Sequence, residues 1–284
     1  MGQSSVFLIH KIEDFRHLIR FPLPPHRKQV YDLVLLTEGV MRRSKGLEEY
    51  EVGAGSAFFV PAHQITSNAF VSPDARGYYC HFEAAMLGSK GVGADNPGGF
   101  PFLQFAGHPV VRLPPDAVAE LLVLLRRMER EYQSQSADSY ELIAAYVYVL
   151  LLEIKRYADA GTPAPIGNAA QIITHKYKNA LSEYIVNKHR IADYADLLAV
   201  SPNHLNKCVR QTTGRTASDW LEEMILLESK VLLSQTDLTV AQVASAVGMA
   251  DQSYFGRFFR KKVGLTPTQY RKWIETSEGL PSPS

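Results

Sequence analysis

Hydrogen-bond donors are concentrated on one face of a short segment, residues 250–262, which reads "ADQSYFGRFFRKK". Its apolar residues, among them Phe255 and Phe259, recur at the spacing of a buried helical stripe. Its polar residues, among them Gln252 and Arg257, fall on the opposite face. Glutamine can pair with adenine and arginine with guanine through two hydrogen bonds each, so this face has the chemistry of base recognition. Taken alone, the segment is also typical of an ordinary amphipathic helix with a solvated basic face.

The residues before this segment favour base recognition. Thr239 offers a cap for a second apolar helix over residues 240–247, and Gly248 follows, where a positive φ angle costs glycine little. Asp251 can then cap the next helix. Two short helices joined by a tight turn predict a helix-turn-helix, whose second helix enters the major groove of DNA.

The same pattern occurs earlier in the chain. Residues 191–220 align with residues 240–270, with one extra turn residue in the second copy, and Arg210 then corresponds to Arg260. A repeat of this kind is much harder to obtain by chance than a single basic helix. Residues 218–237, between the copies, predict one amphipathic helix that joins them rigidly. Two such units must meet successive major-groove faces about 34 Å apart.

Residues 171–275 resemble the DNA-binding domain of the AraC/XylS family of bacterial transcription regulators. The resemblance lies in "VSPNHLNKCVRQTTG", "LESKVLL" and "VGMADQSYFGRFFRKKVGLTPTQYR". The first copy departs from the family pattern at Ala199, where a turn glycine is common, and at Ala217, where proline is common. The second copy is the closer match.

The resemblance implies a set of residues that read bases: Asn203, Asn206, Lys207, Gln252, Ser253 and Arg257. We expect the remaining cations of the second helices to contact phosphates, which position the domain without reading sequence. They are Arg210, Arg260 and Lys261. We expect His204 and Tyr254, which occupy matching positions, to pack within the domain, and Trp220 and Tyr270 to belong to its core.

The charge distribution agrees with two domains of different character. Residues 1–170 carry 16 Lys and Arg against 18 Asp and Glu, whereas residues 171–275 carry 14 against 10. A basic half suits nucleic acid. Residues 159–168, "DAGTPAPIGN", predict a linker, so we expect a sensing and dimerisation domain over 1–160 and a DNA-binding domain over 168–275. The tail "SEGLPSPS" is expected to be disordered.

Cysteine content and hydropathy favour a cytoplasmic protein without a disulfide framework. Cys80 and Cys208 are far apart in the sequence, which suits a reducing compartment. No signal peptide is evident, and no apolar run approaches the ~20 residues that span a membrane. We therefore expect no membrane association.

The N-terminal half has short strands separated by Gly, Pro and Asp between Tyr31 and Phe82, a pattern that predicts a small barrel of the cupin type. The ligand pattern of metal-dependent cupins is broken here. Gly55 and Pro61 keep the turn, but Thr66 stands at the ligand position. The earlier pair of ligand histidines would fall near Lys45 and Leu47, which cannot serve as that pair. Four other residues could ligate a metal, but their spacing does not match a pattern of metal ligands: His63, His81, Glu83 and His108. We therefore expect no catalytic residues, no metal and no cofactor.

A metal-free barrel is expected to hold a small effector in an apolar interior. Tyr78, Cys80 and Phe82 share one face of a strand, which we take as the inward face. Glu38 matches a position that contacts effector in sugar-sensing relatives, so sugars are one class of effector to test. A solvated strand end is the simpler interpretation of Glu38.

Two further segments, "PDAVAELLVLLRRMEREYQ" and "SYELIAAYVYVLLLEIKRYA", predict an antiparallel helical hairpin on the barrel. The fold class is therefore α+β: a cupin-like β-barrel with a helical hairpin, then an all-α domain with two helix-turn-helix units and a linker helix. The family analogy implies a homodimer that binds double-stranded promoter DNA and RNA polymerase, with activation the expected mode. Two alternatives stay open, a cupin-type enzyme fused to a DNA-binding module and an adaptor that works through protein partners. Metal analysis and a ligand screen, respectively, discriminate them.

Overall fold

The structure, a computed structural model, describes residues 7–90, 99–105, 107–134, 136, 138–158 and 168–277. Its strands are β1 (Phe7–Lys11), β2 (Leu23–Arg27), β3 (Tyr31–Glu38), β4 (Val40–Lys45), β5 (Glu48–Gly53), β6 (Ser56–Val60), β7 (Ile65–Val71), β8 (Arg76–Phe82) and β9 (Val110–Arg112). Its α-helices are α1 (Ile12–Phe15), α2 (Pro115–Ser134), α3 (Ser139–Ala158), α4 (Ala169–Tyr184), α5 (Ile191–Leu197), α6 (Pro202–Thr213), α7 (Ala217–Gln235), α8 (Val240–Ala246), α9 (Gln252–Val263) and α10 (Pro267–Ser277). The expected linker and tail lie outside these ranges, apart from Asn168 and Ser277.

The strands form two antiparallel sheets, in the orders β1-β8-β3-β6-β9 and β2-β7-β4-β5. Strand β3 is covered on both faces, which explains its continuous apolar run. Leu33 and Leu35 face the layer formed by α2 and α3, while Val34 and Leu36 face the second sheet. Among the described strands, hydrogen-bonded pairing does not connect one sheet to the other. The N-terminal half is therefore a two-sheet sandwich covered by a helical hairpin, and the closed barrel that we expected is not formed.

The C-terminal half is a helical layer built on one apolar cluster. Leu205, Phe255 and Phe259 project from the second helix of each unit into this cluster and are buried completely. Helix α7 runs between the two units and packs against α6, α8 and α10. Helices α7 and α8 each begin after a threonine whose side chain caps the first turn, Thr216 at α7 and Thr239 at α8.

The two helix-turn-helix units repeat each other in length. Helices α5 and α8 both have seven residues, and α6 and α9 both have twelve. The turn is four residues long in the first unit (198–201) and five in the second (247–251). The single extra turn residue that the alignment predicted is therefore confirmed.

Ala199 adopts the left-handed backbone conformation that glycine adopts in the second unit. Its φ angle is 52°, and that of Gly248 is 77°. An L-residue in this region costs about 1–2 kcal/mol. Replacing the exposed Ala199 with glycine is therefore expected to raise the free energy of unfolding by about 1 kcal/mol, which urea denaturation measures.

The matched control for this prediction is Gly248→Ala. A Cβ atom at Gly248 would lie 2.6 Å from Cβ of His189, so this variant combines backbone strain with a steric clash and should be destabilised. An unchanged urea midpoint in Ala199→Gly would show that the first turn carries no such strain.

The two halves are in contact. Helix α7 lies against β2, and the side chains of Leu47 and Ile65 join the apolar cluster of the C-terminal half. The Arg27 guanidinium donates two hydrogen bonds to the Glu228 carboxylate, at 3.0 and 2.5 Å. The sheet that contains β2, β4, β5 and β7 therefore serves as the platform for the helices.

Candidate nucleic-acid interface

Helix α9 has one buried and one exposed side. Phe255 and Phe259 anchor the buried side in the apolar cluster. The opposite side carries the five residues that the sequence singled out, and all five are exposed: Gln252, Ser253, Arg257, Arg260 and Lys261. The Asp251 carboxylate accepts hydrogen bonds from the backbone N–H groups of Ser253 and Tyr254, at 2.7 and 3.1 Å. This cap fixes the first turn of α9, from which base-reading side chains project in such motifs.

Helix α6 presents a similar face with one exception. Asn203, Lys207 and Arg210 are exposed. The side-chain oxygen of Asn206 instead accepts a hydrogen bond from the backbone N–H of Ala217, at 2.8 Å, at the start of α7. Asn206 is therefore committed to the junction of α6 and α7, and we remove it from the base-reading set. The residue type did not reveal this, because an amide serves a helix start as well as a base edge.

The expected reading and phosphate-binding cations of α6 and α9 differ from Arg271 of α10, whose donors are already used within the domain. Arg271 donates to the backbone carbonyls of Leu233 and Leu238, at 3.0 and 2.6 Å, and so joins α10 to the end of α7. In the described part of the chain, the expected reading and phosphate-binding cations have no carboxylate partner within 4 Å. They are Lys207, Arg210, Arg257, Arg260 and Lys261. Their charges are available to an anionic partner.

Two residues that we expected to pack are exposed. Tyr254 is 54% exposed in the first turn of α9, and His204 is exposed in the first turn of α6. The expectation was wrong because the stripe of α9 is completed by Phe255 and Phe259, which leaves Tyr254 on the outer side. Tyr270 does belong to the core, whereas Trp220 is only half-buried.

The expected effector pocket is also corrected. Tyr78, Cys80 and Phe82 point into the layer formed by α2 and α3, not between the sheets. The Tyr78 hydroxyl donates to Glu129 of α2 at 2.9 Å, and burial together with this carboxylate raises the pKa of Tyr78 to about 12. Burial likewise raises the pKa of the Cys80 thiol. Glu38 is exposed and pairs with Arg76 at 3.2 Å, as a solvated strand end would.

The space between the sheets holds apolar side chains at one end and a buried ion pair at the other. Asp32 is 1% exposed and accepts hydrogen bonds from the Arg43 guanidinium at 2.5 Å and the Tyr79 hydroxyl at 2.8 Å. Burial by itself would raise the pKa of Asp32, but the charges of Lys28 and Arg43 outweigh burial and hold it at about 2. At this end of the sandwich, the buried polar groups therefore pair with one another.

Among the described residues, three or more His, Cys, Asp or Glu side chains are nowhere grouped as a metal ion would require. Within the same ranges, every helix is too short or too polar to cross a membrane.

Comparison with known proteins places this interface in a family. A family model described as a helix-turn-helix domain matches residues 194–272. The transcriptional activator RhaR of Enterobacter sp. (strain 638) is 23% identical over 246 residues, which cover 87% of this chain and 86% of the relative. The arabinose operon regulatory protein of Salmonella typhimurium is 34% identical over 96 residues, 34% of each chain.

Solved structures give a weaker likeness. The DNA-binding domain of AdpA, in complex with a target DNA, is 22% identical with a TM-score of 0.34 and covers 38% of this chain and 97% of its own. ToxT of Vibrio cholerae O395 is 14% identical with a TM-score of 0.42 and covers 98% of this chain and 100% of its own. The match over residues 194–272 and the sequence relatives support the resemblance of the helical half to the AraC/XylS family of transcription regulators.

Proposed function

We propose that this chain is a sequence-specific DNA-binding regulator of transcription, in which residues 168–275 bind promoter DNA and the N-terminal half binds a small effector. The observation that carries the proposal is the pair of helix-turn-helix units with unpaired cations on their outer faces. Helix α7 contacts both units through its buried side, so their separation is fixed. A fixed separation is what two successive major-groove contacts require.

The proposed contacts divide into reading and positioning. Arg257 has the donors to hydrogen-bond guanine bidentately, and Gln252 has the donor and acceptor for adenine. Asn203, Lys207 and Ser253 complete the proposed reading set. The positioning contacts to phosphates come from Arg210, Arg260 and Lys261, and they supply the salt-dependent part of the affinity.

The mode of regulation and the oligomeric state are each supported by one observation. The name of the Enterobacter relative, a transcriptional activator similar over 87% of this chain, supports activation and hence contact with RNA polymerase. Exposed apolar side chains on the hairpin of α2 and α3, including Val123, Val149 and Leu152, support a homodimer through that surface. We propose a role in binding, without catalysis, for the N-terminal half.

Substitution of two arginines on α9 tests the proposed interface. Arg257→Ala is expected to weaken binding to the specific site by about 1–3 kcal/mol and to relax preference at one base pair. Arg260→Ala, the matched control on the same helix, is expected to weaken binding to all sequences and to lower the salt slope by about one. Fluorescence anisotropy on specific and scrambled duplexes over a series of salt concentrations measures both.

The outcome for Arg257 decides between reading and positioning. If Arg257→Ala weakened binding to the specific and the scrambled duplex equally, the assignment of the reading face on α9 would be wrong. Unchanged binding in both variants would contradict the proposed DNA-binding face altogether.

A further inference from the structure

A cleft of about 580 Å³ lies where the two halves meet. Strands β4 and β5 form one wall, with Lys45 and Tyr50, and this wall also includes Gln104, Phe105, Gly107 and His108. Helices α4 and α7 form the other wall, with Leu181 and Trp220. The volume is in the range of pockets for small molecules. Any ligand in this cleft would touch the sandwich and the DNA-binding helices together.

Lys45 brings a buried amine into this cleft. Lys45 is 6% exposed, and its Nζ donates to the backbone carbonyl of Gln104 at 2.8 Å and to that of Gly107. Both partners are uncharged, and no carboxylate of the described residues lies within 4 Å of Nζ. An ammonium group has three donors, so these two bonds leave one for a ligand. Burial lowers the pKa of Lys45 to about 7, although Glu48 opposes this effect.

Gln64 brings an unsatisfied acceptor to the same cleft. It is 2% exposed, and its Nε2 donates to the backbone carbonyl of Ile65 at 3.3 Å. Its Oε1 atom is buried and accepts no hydrogen bond. A buried acceptor without a partner is unfavourable, and a ligand hydroxyl group could satisfy it by donating to it.

The remaining charges of the cleft favour an anion. Lys178 pairs with Glu48 at 3.0 Å and also lies over the ring of Trp220, at 4.2 Å from the ring centroid. Glu48 is therefore already neutralised by Lys178. The protonated Lys45 ammonium remains as an unbalanced positive charge, which an anionic ligand would compensate.

We propose that this cleft binds a small carboxylate that also carries a hydroxyl group, with the carboxylate on Lys45 and the hydroxyl donating to Gln64. The carbon skeleton of the ligand would lie against Trp220 and Leu181. Sugar acids and aromatic hydroxy acids share this chemistry. This inference rests on the proposed function. A ligand that contacts both walls changes how α4 and α7 dock on the sandwich, and so couples effector binding to DNA binding.

Tryptophan fluorescence provides the binding assay. The chain has two tryptophans, so in a Trp273→Phe background the signal comes from Trp220 in the cleft. The probes are D-glucuronate for the sugar acids and 4-hydroxybenzoate for the aryl acids. D-glucose, which lacks the carboxylate, and benzoate, which lacks the hydroxyl, are the controls. We expect at least one hydroxy acid to change the fluorescence saturably and to bind at least tenfold more tightly than its control.

Variants of the two polar residues assign the contacts. Lys45→Met is expected to lower the affinity for the hydroxy acid more than tenfold. Lys230 is a half-buried lysine of α7 outside the cleft, so Lys230→Met should leave this affinity unchanged. Gln64→Leu is expected to weaken the binding of 4-hydroxybenzoate but not that of benzoate. Calorimetry of the unaltered protein at pH 8, in buffers of different ionisation enthalpy, should show proton uptake, because a bound carboxylate raises the pKa of Lys45 again. This measurement remains decisive if Lys45→Met does not fold.

The proposal is overturned if neither hydroxy acid alters Trp220 fluorescence at millimolar concentration, if both bind equally well to Lys45→Met, or if binding takes up no proton. Duplex binding without ligand separates this failure from that of the proposed function. If the protein binds DNA but neither acid, only the proposed cleft site is contradicted. If it binds an acid but no DNA, the proposed function is contradicted.

Discussion

Replacing Asp32 by alanine is expected to lower the free energy of unfolding by about 3–5 kcal/mol, because the Arg43 guanidinium is then left buried without its counter-ion. Both side chains are almost completely buried, and they lie 2.5 Å apart between the two sheets. Urea denaturation followed by circular dichroism measures the loss. Glu38→Ala removes one partner of an exposed pair with Arg76 and is the matched control, with an expected loss of at most about 1 kcal/mol.

The same pair predicts a dependence of stability on pH. The pKa of Asp32 is about 2 in the folded protein, below the value of about 3.9 in an unfolded chain. The contribution of the carboxylate is therefore fully present above about pH 4 and is lost as the pH falls through about 2. The difference in stability between the protein and its Asp32→Ala variant should shrink over this interval. A constant difference from pH 7 to pH 2 would contradict the pairing.

Replacing Arg27 by methionine is expected to lower the free energy of unfolding by about 3 kcal/mol and to loosen the two halves. Glu228 lies on α7 with its side chain 3% exposed, and the Arg27 guanidinium is its partner across the interface. Without Arg27, α7 can relieve its buried carboxylate by moving away from β2. Lys178→Met, which breaks the more exposed pair with Glu48 across the same interface, should cost at most about 1 kcal/mol.

Two probes in one urea titration detect this loosening. Tryptophan fluorescence reports on the C-terminal half and on the cleft that Trp220 lines, since Trp220 and Trp273 both belong to that half, whereas circular dichroism reports on all elements. The two transitions should coincide for the unaltered protein and separate for Arg27→Met. Coincident transitions at an unchanged midpoint in Arg27→Met would mean that the Arg27–Glu228 pair does not hold the halves together.

The helical half was largely predictable because its signals are local. Apolar residues at helical spacing placed Phe255 and Phe259 in the core, and the alignment of the two units even located the extra turn residue. Ala199, noted as a departure from the family pattern, has the positive φ angle that a turn glycine would have. Helix caps, apolar stripes and turns each depend on residues a few positions apart, so they can be predicted from the sequence alone.

The sandwich was less predictable because its signals are not local. Both faces of β8 are covered, by helices on one side and by the second sheet on the other, so alternation could not tell which face Cys80 takes. Helix-forming residues of α6 gave no sign that Asn206 bonds to Ala217, eleven positions along the chain. The cleft depends on Lys45 meeting carbonyl groups about sixty residues away, a contact that no local pattern reveals.

Sequence-specific reading by both helix-turn-helix units is tested most directly by selecting binding sites from random duplex DNA with the purified protein. The expected sites contain two conserved blocks about one helical turn, ~10 base pairs, apart. Arg257→Ala should blur one block and Lys207→Ala the other, since these residues belong to different units. Enrichment of a single block, or of no sequence at all, would contradict the account in which α7 holds two reading helices on one face of DNA.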